Sequence, residues 1–293
     1  MNNRGSILVA VLLIAAIVSV FIAVASRSLQ AGTDASRSFA ESLRAEEAMR
    51  AAIEQIAAVT GPAGPLRPSS TVVVLGTTSV ELSFTDEISR IDLNNAPIDL
   101  LTGIFRVVGV EANEARRYAA RIVDWRDDDD QLVEEGGAEV TAYRAVGRLD
   151  GPRNGPFIHV AELALVLGIP KNVAAAVASY VTVASGSEMI NPLLADPPVL
   201  MAIPGLKEDQ VRQFLEDRVF RNMAPNDLVA RLGPVEDYVT VQTSNAVRYE
   251  GRVRFTRNER RFEAVVTVTS GDTEPYRILA WDANPPARMR RLP

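Results

Sequence analysis

The sequence has no cysteine among its 293 residues and a single histidine, His159. Without cysteine there is no disulfide framework, thiolate metal site or cysteine nucleophile. A lone histidine is more typical of a surface or packing position than of a ligand or base. The chain also lacks a Gly-x-Ser-x-Gly elbow, a phosphate-binding glycine loop and a His-Glu metal pattern. The sequence therefore does not predict an enzyme.

Positive charge is also scarce, and almost all of it is arginine. The chain carries 31 basic and 37 acidic residues, for a net charge of −6. Residues 91–186 hold 14 acidic and 9 basic groups, whereas residues 239–293 hold 6 acidic and 10 basic groups. This balance disfavours general nucleic-acid binding, so no nucleic-acid partner is predicted. The C-terminal region is suited to an acidic partner.

The stretch Ser6 to Ser26 contains 21 residues without a charge, after a leader of five residues. A helix of that length rises about 30 Å, which is the thickness of a bilayer core. We predict a membrane span; a secretory signal peptide cleaved after Ala23-Val24-Ala25 is the alternative. Helical periodicity continues beyond the span, so one helix is predicted from about Ile7 to Val59, ended by Gly61-Pro62. Its apolar stripe, the predicted partner surface, contains Phe39, Leu43, Met49, Ile53 and Ile56.

The rest of the chain predicts an α+β fold. Thr71–Leu75 and the alternating Val80, Leu82 and Phe84 predict a hairpin, and further period-two segments lie near the C-terminus, beginning at Val239 and Val241. Helical patterns lie between these strands, with Asn94 and Asn95 as candidate caps. The predicted organisation is a leader (1–5), a helix (6–60), an α/β domain (61–90 and 187–293) and an inserted all-helical domain (91–186). The segment from Ile91 to Leu101 is echoed by the segment from Ile190 to Leu200.

One acidic segment is suited to a cation. Asp127–Asp130, Glu134, Glu135 and Glu139 place seven carboxylates in 13 residues between two predicted helices. Oxygen ligands in a flexible loop that contains glycine suit Ca²⁺ better than Mg²⁺ or Zn²⁺. A solvated acidic loop is an equally good interpretation of the sequence. The candidate ligands are Asp127, Asp129, Glu134 and Glu139.

The short leader, the glycine before an apolar span and the amphipathic extension resemble type IV pilin-like proteins. That resemblance implies a long helix packed on a small antiparallel sheet, with cleavage between Gly5 and Ser6 by a prepilin peptidase. Ala10 stands where most pilins carry a glutamate, so the sequence resembles the K-type minor pseudopilins of type II secretion systems. Further support comes from Asp124-Trp125-Arg126-Asp127 and Asn154-Gly155-Pro156-Phe157 in their order along the chain.

The K-type resemblance implies a single-pass protein of the bacterial inner membrane with a periplasmic C-terminal domain. Its expected partners are the other minor pseudopilins (I and J types) and the major pseudopilin, and its expected place is the tip of the pseudopilus. The same resemblance favours calcium in the helical domain.

Two other interpretations remain open at this point: a minor pilin of a type IV pilus, and a membrane-anchored helix-hairpin-helix DNA receptor. The receptor hypothesis rests on glycine turns at Gly109, Gly168 and Gly205, but these turns lack paired Gly-x-Gly amides and lie in an acidic region.

Overall fold

A long helix followed by a sheet confirms the predicted α+β fold. The computed structural model describes residues 4–60, 69–134, 136–220, 223–255, 259–268 and 276–285; the side chains of residues 4–10, 25, 28–35, 60 and 220 also lie outside the description. Helix α1 spans Arg4–Thr60, close to the predicted bounds. Gly61 and Pro62, its predicted stop, lie outside the described residues.

Five antiparallel strands form the sheet, in the order β1-β2-β5-β6-β7. The first hairpin pairs β1 (Ser69–Leu75) with β2 (Thr78–Asp86), as predicted. The other three strands come from the C-terminal part of the chain: β5 (Ala246–Arg254), β6 (Glu259–Val268) and β7 (Tyr276–Asp282). Since β2 and β5 are paired neighbours, everything between Asp86 and Ala246 is inserted between two adjacent strands.

The second half of α1 packs on one face of this sheet. Met49 and Ile53 are fully buried there, and Gly251 on β5 leaves room for Met49: a Cβ at Gly251 would lie 2.2 Å from the Met49 sulfur. Burial of each such large side chain stabilises the fold by about 1.5–3 kcal/mol. The sheet contributes the inward-facing residues Val80, Leu82, Phe84, Val247, Tyr249, Val253, Phe262, Ala264 and Val266.

The intervening chain forms a helical unit around a second hydrophobic core. Its longest helices are α2 (Ile98–Val107), α3 (Ala112–Arg126) and α7 (Glu208–Phe220). The shorter elements are β3 (Ile91–Asp92), α4 (Val140–Ala145), α5 (Lys171–Val177), β4 (Val181–Thr182), α6 (Pro197–Met201) and α8 (Pro225–Val229), with 3-10 turns at Glu87–Ser89, Val160–Leu165 and Ala230–Leu232.

Three details of the helical unit differ from the predictions made from the sequence. Its helices continue to Leu232, beyond the predicted end at Gly186, and Leu228 and Leu232 share the core of the earlier helices. Val239, predicted in the sheet, instead forms a parallel bridge with Ile190. Asn94 does not cap α2, whose N-cap is Pro97 without a side-chain hydrogen bond. Instead, the side-chain amide of Asn94 accepts from the Phe157 N–H at 2.7 Å and donates to the Phe157 carbonyl at 3.0 Å. Phe157 is 63 positions away in the sequence, but the fold brings its loop next to Asn94.

A buried ion pair joins the helical unit to the sheet. Glu87, fully buried just after β2, accepts from Arg248 Nε at 2.6 Å and Nη2 at 2.9 Å. Burial acts to raise the pKa of Glu87, but the Arg248 charge and hydrogen bonds, aided by Arg90 and Thr182, outweigh it and lower the pKa. Arg248 also bonds to Glu263 on β6. Thus one arginine holds a carboxylate from the junction and another from the sheet.

Candidate functional site

The helical unit contains the same module twice, which the echo between Ile91–Leu101 and Ile190–Leu200 indicated only in part. Each module begins with a strand residue and an Asx turn, in which Asp92 accepts from the Asn94 N–H and Asn191 accepts from the Leu193 N–H. Each ends in the sequence Tyr-Val-Thr-Val, whose valine pairs in parallel with the starting strand. We call residues 91–183 the first module and residues 190–241 the second module.

An arginine near the end of the second helix closes each module in the same way. Arg126 of α3 and Arg218 of α7 each donate to two carbonyls of the loop that follows the starting strand, and burial lowers the pKa of both. The acceptors are Leu93 (2.7 Å) and Ala96 (3.0 Å) in the first module and Pro192 (2.9 Å) and Ala195 (2.7 Å) in the second. The repeated contact shows that the two modules are structural equivalents.

The modules differ in the connection between their later helices. In the second module only residues 221–224 separate α7 from α8, whereas in the first module residues 127–170 separate α3 from α5. This extra segment, which we call the acidic insertion, has nine acidic and three basic residues. A feature present in one copy and unnecessary for the other is a candidate for function rather than for folding of the module.

Asp124 organises the start of the acidic insertion, although the sequence analysis did not select it. Its carboxylate is fully buried and accepts from the Val133 N–H at 3.0 Å and the Ala138 N–H at 2.5 Å, which folds the loop back onto α3. Gly137 permits this closeness, since a Cβ there would lie 2.1 Å from Asp124 Oδ2. An aspartate on the apolar face of α3 was the signal available in the sequence.

Two predicted ligands, Asp127 and Glu139, lie beside Asp124. Burial, followed by the charges of Asp124 and Asp129, raises the pKa of Asp127 to about 6. Burial, followed by the charges of Asp124 and Asp127, raises the pKa of Glu139 to about 7. Glu139 is only 6% exposed. Such carboxylates resist ionisation unless a cation compensates them.

Several oxygens of this group have no hydrogen-bond partner among the described residues: both carboxylate oxygens of Glu139, Oδ1 of Asp127 and Oδ1 of Asn154. Asn154 belongs to a second loop of the insertion, and its amide donates to the Asp129 carbonyl at 3.3 Å and to Asp130 at 3.2 Å. Its backbone is left-handed, with φ of 47°. A buried acceptor left unpaired costs about 1–3 kcal/mol, so the group is incomplete without a donor or cation.

The other two predicted ligands are placed differently. Asp129 is exposed and accepts from the Gln131 N–H at 2.7 Å, but its charge acts on both Asp127 and Glu139. Glu134 is exposed and is not among the groups that chiefly shift either pKa. Within the described ranges, no group of three or more potential ligands is already arranged as a metal site.

The apolar stripe of α1 divides between two environments. Phe39 and Leu43 are 73% and 51% exposed, whereas Met49 and Ile53 are fully buried against the sheet of their own chain. Ile56 also packs against that core. Met49 and Ile53 are therefore wrong as partner-binding residues, because the sheet already covers them, whereas Ile56 is only partly buried and stays a prediction. Phe39 and Leu43 remain available to a partner.

The predicted anchor and processing site lie at the edge of the described structure. The side chains of Gly5, Ser6 and Ala10 lie outside the described residues, as do residues 1–3 of the leader. In the part that is described, no helix offers a stretch long and apolar enough to cross a membrane.

Two of three comparisons with known proteins found a match, one through part of the sequence and one through the fold. Residues 83–186 match the first-domain family model for protein K of the type II secretion system (T2SS). The chain is also similar to a chain in the crystal structure of the GspK-GspI-GspJ complex from the enterotoxigenic Escherichia coli type 2 secretion system. That match has a TM-score of 0.64 and 16% identity, and it covers 86% of this chain and 99% of the other. No curated protein matches the chain.

Proposed function

We propose that this chain, whose residues 83–186 match the family model for protein K of the type II secretion system, belongs to that family and is the minor pseudopilin at the tip of the pseudopilus. There it starts or caps filament assembly for export across the outer membrane. The supporting observation is the position of the helical unit relative to the sheet and to α1. Arg260, near the start of β6, contacts Ser38 of α1 at 3.3 Å, whereas Val268, at the other end, meets Asn245 beside the helical unit. The helical unit thus lies at the end of the sheet away from the N-terminal half of α1.

The same proposal covers the N-terminus. We infer that Ser6–Ser26 anchors the chain in the bacterial inner membrane, with the sheet and helical unit in the periplasm, after prepilin peptidase cuts between Gly5 and Ser6. Ala10 supplies no carboxylate for the terminal amine of another subunit. A subunit that lacks this contact and carries a large helical unit is better suited to one terminal copy than to a repeated position in the shaft.

Phe39 and Leu43 supply the proposed contact with the I-type and J-type minor pseudopilins. We expect the double variant Phe39→Ala, Leu43→Ala to weaken co-purification with these partners at least about tenfold, because truncating the few side chains that anchor an interface costs about 2 kcal/mol or more, and about 1.4 kcal/mol is already tenfold in affinity. The measurement is the ratio of subunits recovered after co-expression of the full chains. Val59→Ala is the matched control: Val59 is 81% exposed at the C-terminal end of α1.

The tip position has its own test in the same strains. Site-directed crosslinking from Phe39 and Leu43 should reach only the other minor pseudopilins and the first major subunits. Crosslinks between copies of this chain, repeated along the shaft, would contradict a terminal position, and equal losses for Val59→Ala would contradict the assigned contact.

We further propose that the acidic insertion binds calcium through Asp127, Glu139 and Asn154, and that Asp129, whose charge acts on both carboxylates, completes the site. The unpaired oxygens and the raised pKa values support this proposal. All the proposed ligand atoms are carboxylate or amide oxygens, which calcium prefers. Bound calcium would supply the positive charge that this group lacks. Asp124 and Gly137 hold the loop, so they position the ligands rather than bind.

Calcium should therefore stabilise the protein by mass action. At a concentration 100 times the dissociation constant, binding adds about 2.7 kcal/mol to the free energy of unfolding, which raises Tm by several degrees. Asp127→Asn combined with Glu139→Gln should abolish this rise, whereas Glu134→Gln, at an exposed carboxylate of the same loop, should keep it. The measurement is the Tm of the full chain with calcium and with chelator. An unchanged Tm at millimolar calcium, or equal losses in all variants, would leave a solvated loop.

A further inference from the structure

The acidic insertion also exposes large apolar side chains. Val146 and Leu149, in the turn after α4, are 61% and 94% exposed, and Leu165, at the end of a 3-10 turn, is 49% exposed. One exposed apolar residue is ordinary in a soluble protein, but three that the fold brings close together form a surface suited to contact. We call these three residues the insertion surface.

Arg148 brings the two parts of the insertion surface together. Its guanidinium donates to the Leu165 carbonyl at 2.6 Å and lies over the Tyr143 ring, 4.9 Å from the centroid. Tyr143 is fully buried, and its hydroxyl accepts from the Leu167 N–H at 3.0 Å. The turn that carries Val146 and Leu149 is thereby fixed beside Leu165 by contacts to a buried ring.

Arg121 joins the acidic loop to Leu167, two residues after Leu165. It donates to the Leu167 carbonyl at 2.8 Å and to the Gly136 carbonyl at 3.1 Å, so the loop that carries Glu134 borders the insertion surface. The guanidinium groups of Arg121 and Arg148 donate to backbone carbonyls within the protein. At the surface itself, exposed Arg144 and Asp150 offset each other, so the net charge nearby comes from the acidic loop.

The charge of the insertion indicates the chemistry of its partner. With nine acidic and three basic residues, the acidic insertion has a formal charge of −6, which equals the formal net charge of the whole chain. We propose that the insertion surface docks a basic, apolar segment of a partner protein: apolar side chains on Val146, Leu149 and Leu165, and lysine or arginine toward the acidic loop. An acidic segment is repelled by the same loop. Docking requires neither the tip position nor bound calcium.

Photocrosslinking of model peptides to the full chain in a zwitterionic detergent tests this proposal. Three labelled peptides of equal length each carry one photoreactive phenylalanine: alternating Lys and Leu, alternating Glu and Leu, and alternating Lys and Ser. We expect the Lys-Leu peptide to crosslink at residues 144–150 and 165–168, located by mass spectrometry, and the other two to give at least tenfold lower yield. Both apolar contact and charge are then shown to be necessary.

Matched variants distinguish binding at this surface from non-specific hydrophobic binding of the peptide. Val146→Ser with Leu149→Ser should lower the Lys-Leu yield at least tenfold, at an unchanged Tm because both side chains are exposed. The control pair, Val72→Ser with Val74→Ser, alters two exposed valines on β1 (58% and 69% exposed) and should leave the Lys-Leu yield unchanged. The proposal is overturned if the Glu-Leu peptide reacts equally, if the crosslinks fall elsewhere, if both double variants behave alike, or if sedimentation shows that a second copy of the chain occupies the surface.

Discussion

Replacing Arg248 with methionine is expected to lower the free energy of unfolding by about 3–5 kcal/mol, because the variant removes the main counter-charge of buried Glu87 and leaves only Arg90, 3.7 Å away. Glu87 is fully buried and Arg248 is 11% exposed, so water cannot replace the lost partner. Methionine keeps much of the length and apolar stem of arginine, so the loss reports the charge rather than a cavity. The measurement is urea unfolding of the full chain.

Arg254→Met is the matched control on the same strand and the same face of the sheet. Arg254 pairs with Glu81 at 2.9 Å but is 54% exposed, so its loss should cost at most about 1 kcal/mol. Equal destabilisation by the two variants would show that burial of the Glu87 pair is not what makes it important.

Gly103→Ala is the second large expected effect, and its sign is opposite to that of helix propensity. In a free helix this change stabilises by roughly 0.5–1 kcal/mol. At Gly103 on α2, however, a Cβ would lie 1.8 Å from the Ala202 carbonyl oxygen, which belongs to the second module. Backbone cannot yield as a flexible side chain does, so α2 and α6 must separate. We expect a loss of about 1–3 kcal/mol despite the better propensity.

Gly205→Ala distinguishes this clash from ordinary glycine strain. Gly205 has φ of +83° with open space around its Cβ, so alanine there costs only the left-handed backbone, about 1–2 kcal/mol. Because the clash at Gly103 separates two modules, Gly103→Ala should also increase hydrogen exchange in both of them, whereas Gly205→Ala should act near its own turn. A stabilised Gly103→Ala variant would show that the modules do not meet as closely as described.

Elements with strong periodicity were predictable from the sequence. Helices α1 and α3 repeat apolar residues over several turns, and β2 alternates Val80, Leu82 and Phe84 inward. The second module was missed because α6 and α8 have five residues each, which is too short for a period to show. The strand that ends the second module is a single bridge residue, Val239, so no alternating pattern marks it in the sequence.

The candidate sites were predictable to a smaller degree, for two physical reasons. Apolar periodicity identified the stripe of α1, but it does not say whether a sheet of the same chain or another protein covers each residue; Met49 and Phe39 have the same pattern and opposite environments. The density of carboxylates identified the acidic loop, but selection among them required the fold. Asp124 and Asn154 join the group only through the packing of separated segments.

The insertion of the helical unit between paired strands has a consequence for folding order. Asp86 accepts hydrogen bonds from the Ser244 N–H and hydroxyl, across 158 positions of sequence. Closing a flexible loop of that length costs roughly 4–5 kcal/mol of chain entropy. Helices α2 and α3 pack through local contacts and pay little of this cost, and once the helical unit has formed it holds Asp86 near Ala246. The helical unit is therefore expected to fold first and to act as the turn that brings β2 and β5 into register.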